Sequence, residues 1–143
     1  MTIRQISIFV ENRSGGLADI TETLAAANID IRALSIADTS DYGVLRLIVD
    51  DPTKAAEALS LKDYILRVTD VIAARIDDAP GGLARILRIL SDGNENLEYT
   101  YAFVSRTSGS AYVVLRVEDN DKTSALLEAN GVKLASPEEI FSI

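Results

Sequence analysis

Hydrophobic positions along the chain follow the same order of patterns twice. An apolar strand-like run at 6–10 leads to a glycine pair and then to apolar residues spaced three to four apart over 17–24, which is typical of one helix face. A second strand-like run at 72–76 leads to another glycine pair and a second helical stripe over 83–90. Corresponding positions lie 66 residues apart as far as residue 97. The chain is therefore an internal repeat of one small unit.

The remainder of each unit is also marked by local signals. Alternating strands are predicted at 29–34 and 97–103, and a second helix follows each hairpin. Asp51, followed by proline, is the expected N-cap in the first unit, and Asp121 is the expected N-cap in the second. With a short closing strand, each unit reads βαββαβ. The predicted fold class is α+β, with two tandem ferredoxin-like units that have antiparallel sheets.

The two copies are joined without a flexible linker. Residues 68–71 run almost directly from the last strand of one unit into the first strand of the next, so we place the domains at 1–69 and 70–143. The second face of each sheet has mixed polarity, and we expect the units to pack as a pseudo-symmetric pair, with a homodimer of the chain as a further expectation. In the tail, Ser136 and Glu139 form a capping-box pattern that predicts a short terminal turn or helix.

Composition and charge exclude several classes of protein. Hydrophobic residues make up 48% of the 143 residues, as in a globular core, yet no apolar run approaches the ~18 residues of a membrane span. The N-terminus lacks the pattern of a secretory signal and there is no cysteine, so cytoplasm is the expected compartment. A net charge of −8 argues against a protein that binds nucleic acid, because such binding needs a basic face.

The glycine turns between strand and helix are where recognition is expected. Glycine allows close approach of a ligand, and amides at a helix N-terminus attract an anion. Asn12 or Asp78, at the end of the preceding strand, could receive an ammonium group, so that the turn would hold a zwitterion. The alternative is structural: the glycines form turns, and Asn12, Ser14 and Asp78 only cap the helices.

These turns carry a resemblance to a known family. The sequence Asp-Ala-Pro-Gly-Gly-Leu at 78–83 resembles the signature of the ACT domain, and 12–17 resembles a variant of it. Residues 28–31 and 96–99 resemble the opening of the second ACT strand, and 46–55 resembles the third strand and second helix. The resemblance covers essentially the whole chain as a tandem pair of ACT domains.

The resemblance implies a regulatory module that binds a small molecule, mostly an amino acid, between paired ACT units and is read by a metabolic enzyme. It implies no cofactor and no catalytic residue. In this family a ligand touches the turn of one domain and the opening of the second strand in another. The implied ligand-binding residues are Asn12, Ser14, Gly15, Gly16, Leu17, Ile29, Asp30, Ile31, Asp78, Pro80, Gly81, Gly82, Leu83, Asn96 and Leu97.

Some residues depart from the family pattern. Ser14 replaces the usual proline, and Glu95 replaces an apolar residue, where its carboxylate would repel a ligand carboxylate or accept an amine. We therefore expect the two sites to bind a ligand unequally. An alternative is that one of them binds no ligand. The aromatic cluster Tyr99, Tyr101 and Phe103 is interpreted as packing, or else as a ligand wall that would favour an aromatic or large apolar amino acid.

Other functional classes have little support. Without histidine or cysteine, the common general base and the thiol nucleophile are missing, so we do not expect an enzyme. The usual zinc ligands are missing for the same reason, and no metal site is predicted. The main alternative to ligand sensing is a scaffolding subunit that binds an enzyme and no metabolite.

Overall fold

The computed structural model describes residues 1–38, 40–103 and 108–142. The chain divides into two compact units, one formed by Arg4–Thr69 and the other by Asp70–Ile143 together with Met1–Ile3. No helix in the described part of the chain is both long enough and apolar enough to cross a bilayer.

The first unit has the predicted βαββαβ order. Its elements are β1 (Ile3–Glu11), α1 (Gly16–Ala26), β2 (Ile31–Asp38), β3 (Tyr42–Val49), α2 (Pro52–Ser60) and the first residues of β4 (Leu66–Asp77). The strands lie in the order β2-β3-β1-β4. β1 and β2 both pair antiparallel with β3, so that Leu47 lies opposite Ile6 on one side and Leu34 on the other. This is the ferredoxin-like arrangement, as the sequence predicts.

The core of the first unit lies between its helices and one face of the sheet. The apolar stripe of α1 contributes Ile20 and Leu24, and alternate residues of β1 contribute Ile6 and Ile8, all fully buried. Because a strand points successive side chains to opposite faces, Phe9 lies on the other face and stays exposed. The hydrophobic pattern therefore determines which face of α1 packs on the sheet and which face of β1 it covers.

The second unit repeats this order. Its elements are the remainder of β4, α3 (Gly82–Asp92), β5 (Leu97–Ala102), β6 (Ser110–Val117), α4 (Asn120–Ala129) and a 3₁₀ turn (Glu139–Phe141). β4 and β5 both pair antiparallel with β6. The predicted closing strand is reduced to a single bridge between Leu134 and Ala74, flanked by a hydrogen bond from the Arg75 amide to the Lys133 carbonyl at 2.9 Å.

The N-caps of the second helices differ in one case from the prediction. Asp51 caps α2, and its side chain accepts a hydrogen bond from the Lys54 amide at 3.0 Å. In the second unit the cap is Asp119, which accepts from the Lys122 amide, so the prediction of Asp121 is wrong. Asp119 has the extended backbone of a cap residue, whereas Asp121 lies in the first helical turn, where a negative charge suits the helix dipole.

The capping box in the tail is confirmed. The Ser136 amide donates to the Glu139 carboxylate at 2.9 Å, and the Glu139 amide donates back to the Ser136 hydroxyl at 3.3 Å. Lys133 forms an ion pair with the same carboxylate at 3.1 Å. The hydrogen bond from the Ser136 backbone, with the further bond from Lys133, lowers the pKa of Glu139 below its ordinary value.

The Glu139 contacts predict an acid-sensitive contribution to stability. Because the pKa is lower in the folded chain, the ionised carboxylate stabilises the fold above its ordinary pKa, and this is lost as the pH falls through the folded value. Glu139→Gln should therefore lower the free energy of unfolding at about pH 7, and its difference from the wild type should disappear once the pH has fallen below the folded pKa. Urea titrations at a series of pH values measure this.

The matched control is Glu138→Gln, which removes the same charge one residue earlier and leaves the bonds with Ser136 in place. We expect a smaller and flatter difference from it. A Glu139→Gln difference that stays constant across the pH range would contradict the assignment.

Candidate functional site

The two glycine turns have the same backbone geometry. Gly15 and Gly81 are the N-cap residues of α1 and α3, with φ of 84° and 89°, a left-handed conformation that glycine adopts without strain. Neither helix receives a side-chain cap hydrogen bond. Within the turns, the Gly16 amide donates to the Arg13 carbonyl at 3.2 Å and the Gly82 amide donates to the Ala79 carbonyl at 3.0 Å. The structural interpretation of the turns therefore stays an alternative to ligand binding.

Asn12 and Asp78 instead join the end of the first strand to the neighbouring hairpin. The Asn12 amide donates to the Asp41 carbonyl at 2.9 Å, and its side-chain nitrogen donates to the Ser40 carbonyl at 3.2 Å. In the second unit the Asp78 amide donates to the Gly109 carbonyl at 3.4 Å. These residues fix where each turn begins.

The second glycine of each pair allows the helix to begin close to the strand. A Cβ placed on Gly82 would lie 2.1 Å from the Asp77 carbonyl oxygen, which is far inside contact distance. The same atom on Gly16 would lie 3.1 Å from the Glu11 carbonyl oxygen. Ser14 and Pro80 lie in exposed turns, and Leu17 and Leu83 present apolar surface beside them, with 42% and 38% of their areas exposed.

The predicted strand residues lie far from the turn of their own unit. Glu11, beside the turn, pairs with Tyr42 at one end of β3, whereas Ile31 pairs with Val49 at the other end. Seven residues of strand separate the two ends, about 23 Å. In the second unit Asp77 and Leu97 pair with opposite ends of β6 in the same way. No single unit brings the two sets of predicted residues together, so completion of a site by another ACT unit stays a prediction.

The opening of β2 is occupied by internal contacts. The Asp30 amide donates to the Asp50 carboxylate at 3.0 Å, and the Asp30 carboxylate pairs with the buried Arg32 at 3.0 Å. Ile29 is buried in the core, and Ile31 packs partly against it.

Glu95 is paired within its own unit. Its side chain is only 7% exposed and its carboxylate lies 2.6 Å from the Lys122 ammonium, while the Thr123 hydroxyl donates to it at 3.2 Å. The hydrogen bond to Glu95 raises the pKa of Lys122. Asn96 lies beside this pair in an acidic cavity of about 680 Å³. In the described part of the chain, no group of acidic side chains is arranged to hold a metal ion.

The three residues of the predicted aromatic cluster, which lie in β5 and directly after it, are buried to different degrees. Phe103 is buried, and its ring meets that of Tyr112 edge-on at 6.2 Å. Tyr99 and Tyr101 are half-buried and stack on one another at 6.4 Å. Neither tyrosine lines the turn cavities, which are formed by other residues.

The first turn cavity opens beside the Gly15-Gly16 turn and has a volume of about 520 Å³. Strand β1, the start of β3 and the loop before β4 form its walls. It is lined by Phe9, Val10, Glu11, Arg13, Gly16, Tyr42, Lys62, Asp63, Tyr64 and Ile65. Of these, only Gly16 is among the ligand-binding residues that the family resemblance implies. An aromatic residue within a strand or hairpin reads as ordinary packing, and nothing local signals that these residues share a cavity.

The second turn cavity is the smaller one, with a volume of about 210 Å³. Strand β4, the first turn of α3 and the loop after α4 form its walls. It is lined by Arg75, Ile76, Asp77, Gly82, Arg85, Ile86, Gly131, Val132 and Lys133. Here the predicted residue is Gly82, and the polar lining is mainly cationic.

A tandem of ferredoxin-like units, each with a glycine turn between its first strand and helix, defines a class of paired regulatory domains. A family model described as an ACT domain pair matches residues 1–142. The chain belongs to this family, as the resemblance in its turns predicts. ACT domains are regulatory rather than catalytic modules.

Solved structures show the same fold. A protein from Bacteroides thetaiotaomicron is 38% identical, with a TM-score of 0.93 over 100% of this chain and 98% of that one. The regulatory subunit of aspartate kinase from Thermus thermophilus is 19% identical, with a TM-score of 0.67 over 90% of each chain. The corresponding subunit from Thermus flavus is 16% identical, with a TM-score of 0.63 over 96% of this chain and 92% of that one. A search of curated proteins found no match.

The turn geometry predicts unequal responses to the same substitution in the two units. Gly82→Ala should lower the free energy of unfolding by about 1–3 kcal/mol, because its Cβ meets the backbone carbonyl of Asp77 and the turn has to shift. Gly16→Ala should cause a clearly smaller loss, since the corresponding contact is 3.1 Å. Urea unfolding of both variants measures this, and equal losses would show that the close approach at Asp77 is not what requires the glycine.

Proposed function

We propose that this protein is a cytoplasmic regulatory module that binds an amino acid at a strand–turn–helix site and is read by a partner enzyme. The observation that carries the proposal is the cavity beside each glycine turn, next to a helix N-terminus that no side chain caps. The proposal includes a homodimer of the chain and the completion of the site by a second ACT unit, as the family resemblance implies.

The chemistry of the turn suits a zwitterion. Amides in the first turn of a helix and the helix dipole both favour a carboxylate. Among the residues that line the first turn cavity, Lys62 supplies a positive charge and Asp63 a negative one, so a carboxylate and an ammonium can each find a counter-charge. The fold likeness to regulatory subunits of aspartate kinase fits a regulatory role beside an enzyme.

Regulation would follow from a shift in population. A ligand that binds one arrangement of the ACT units more tightly than another favours that arrangement by the difference in its binding free energy. A partner enzyme that recognises the favoured arrangement then responds to the ligand concentration without touching the ligand.

Thermal unfolding against a panel of the twenty amino acids at millimolar concentration tests the proposal. A ligand at ~100 times its dissociation constant adds about 2.7 kcal/mol to the free energy of unfolding, which is a rise of several degrees in Tm for a chain of this length. We expect such a rise with a small subset of the panel. A panel without any rise would contradict ligand binding and favour the scaffolding subunit instead.

A further inference from the structure

The two turn cavities lie at corresponding places in the two repeated units, and different side chains line them. We propose that the first turn cavity takes an amino acid with a large apolar or aromatic side chain and that the second turn cavity takes no such ligand. This inference rests on the proposed function and specifies the ligand class of its site.

The cavities occupy the same place in each unit. Each is lined by the second glycine of the turn, Gly16 or Gly82, and by the last apolar residue of the strand before it. Each is also lined by a residue with positive φ that ends the second-helix loop, namely Asp63 at 61° and Gly131 at 77°. A difference in ligand therefore has to come from the side chains and not from the backbone.

The side chains of the first turn cavity form an apolar and aromatic wall. Phe9 and Tyr42 lie with their ring centroids 6.4 Å apart, and the Phe9 amide donates to the Ile65 carbonyl at 3.0 Å, which places these residues side by side. Phe9, Tyr42 and Ile65 are 53%, 52% and 70% exposed, so their apolar surfaces are open to a ligand. Aromatic rings offer a large area for packing against another apolar side chain.

The second turn cavity has cations at the matching positions. Arg75 stands where the first unit has Phe9, and Lys133 where it has Ile65. An apolar ligand side chain would have to displace water from these charged groups without giving them a partner. The second turn cavity, with a volume of about 210 Å³, is also smaller than the ~300–1,000 Å³ typical of small-molecule sites. The first turn cavity, with about 520 Å³, falls within that range.

One exchange in the first turn of the helix helps to set this difference. In the second unit, Arg85 lines the cavity and its guanidinium donates to the Asn130 carbonyl at 2.7 Å, which ties α3 to the loop after α4. The corresponding residue in the first unit is Asp19, which does not line the cavity and instead accepts a hydrogen bond from Arg13 at 2.9 Å. The position that ties the walls of the second cavity together therefore makes a different contact in the first unit.

The test compares the affinity of phenylalanine and leucine with that of glycine and aspartate, by isothermal titration calorimetry on the full chain. We expect phenylalanine or leucine to bind at least tenfold more tightly than the two small probes. Phe9→Arg, which introduces the residue of the second unit at an exposed strand position, should weaken that binding at least tenfold. The matched control Leu34→Arg, which places the same charge on a strand residue that is 50% exposed and lines neither turn cavity, should leave it unchanged.

Phe9→Leu keeps an apolar wall and should retain most of the affinity, and circular dichroism of each variant checks that the fold is intact. Equal affinity for glycine or aspartate, with no effect of Phe9→Arg, would overturn the ligand class while leaving amino acid binding in place. Binding of no amino acid would overturn both proposals. A change of oligomeric state in Phe9→Arg with unchanged affinity would show that the exposed ring contacts a second copy, and would also overturn the inference.

Discussion

The close approach between each helix and the strand before it is the constraint on which the rest of the unit depends. In the second unit the start of α3 lies so near the Asp77 carbonyl that even a single methyl group at Gly82 would clash. A helix that begins there continues directly over the sheet, where Ile86 and Leu90 meet the buried face of β4. The lack of a side chain at Gly82 therefore sets both the conformation of the turn and the position of the apolar stripe of α3 over the sheet.

The same constraint creates the chemistry of the site. A glycine with positive φ at the N-cap has no side chain to satisfy the first-turn amides, so the turn that allows tight packing also leaves the helix N-terminus without a side-chain cap. The strand end is meanwhile held by the hairpin through Asn12 in one unit and Asp78 in the other. Tight packing and the proposed recognition therefore both depend on one backbone conformation.

The sequence predicts what is encoded locally and misses what depends on register. The helical stripes, the Asp51 cap, the capping box and every predicted strand except the last involve residues a few positions apart, and these are found in the structure. The last strand is reduced to one bridge. Asp121 was a wrong choice of cap because Asp119 satisfies the same rule, and only the backbone conformation separates them. A shared role of Phe9 and Ile65 is not visible in the local sequence, because the pairing of strands distant in sequence brings them to one cavity.

The duplicated backbone does not require a duplicated ligand. A single position in the first helix carries Asp19 in one unit, where it holds Arg13, and Arg85 in the other, where it holds the Asn130 carbonyl. Because glycines and register fix the main chain in both units, such an exchange alters the cavity while the core stays the same. A tandem repeat can thus keep one fold and divide recognition from structural support between its copies.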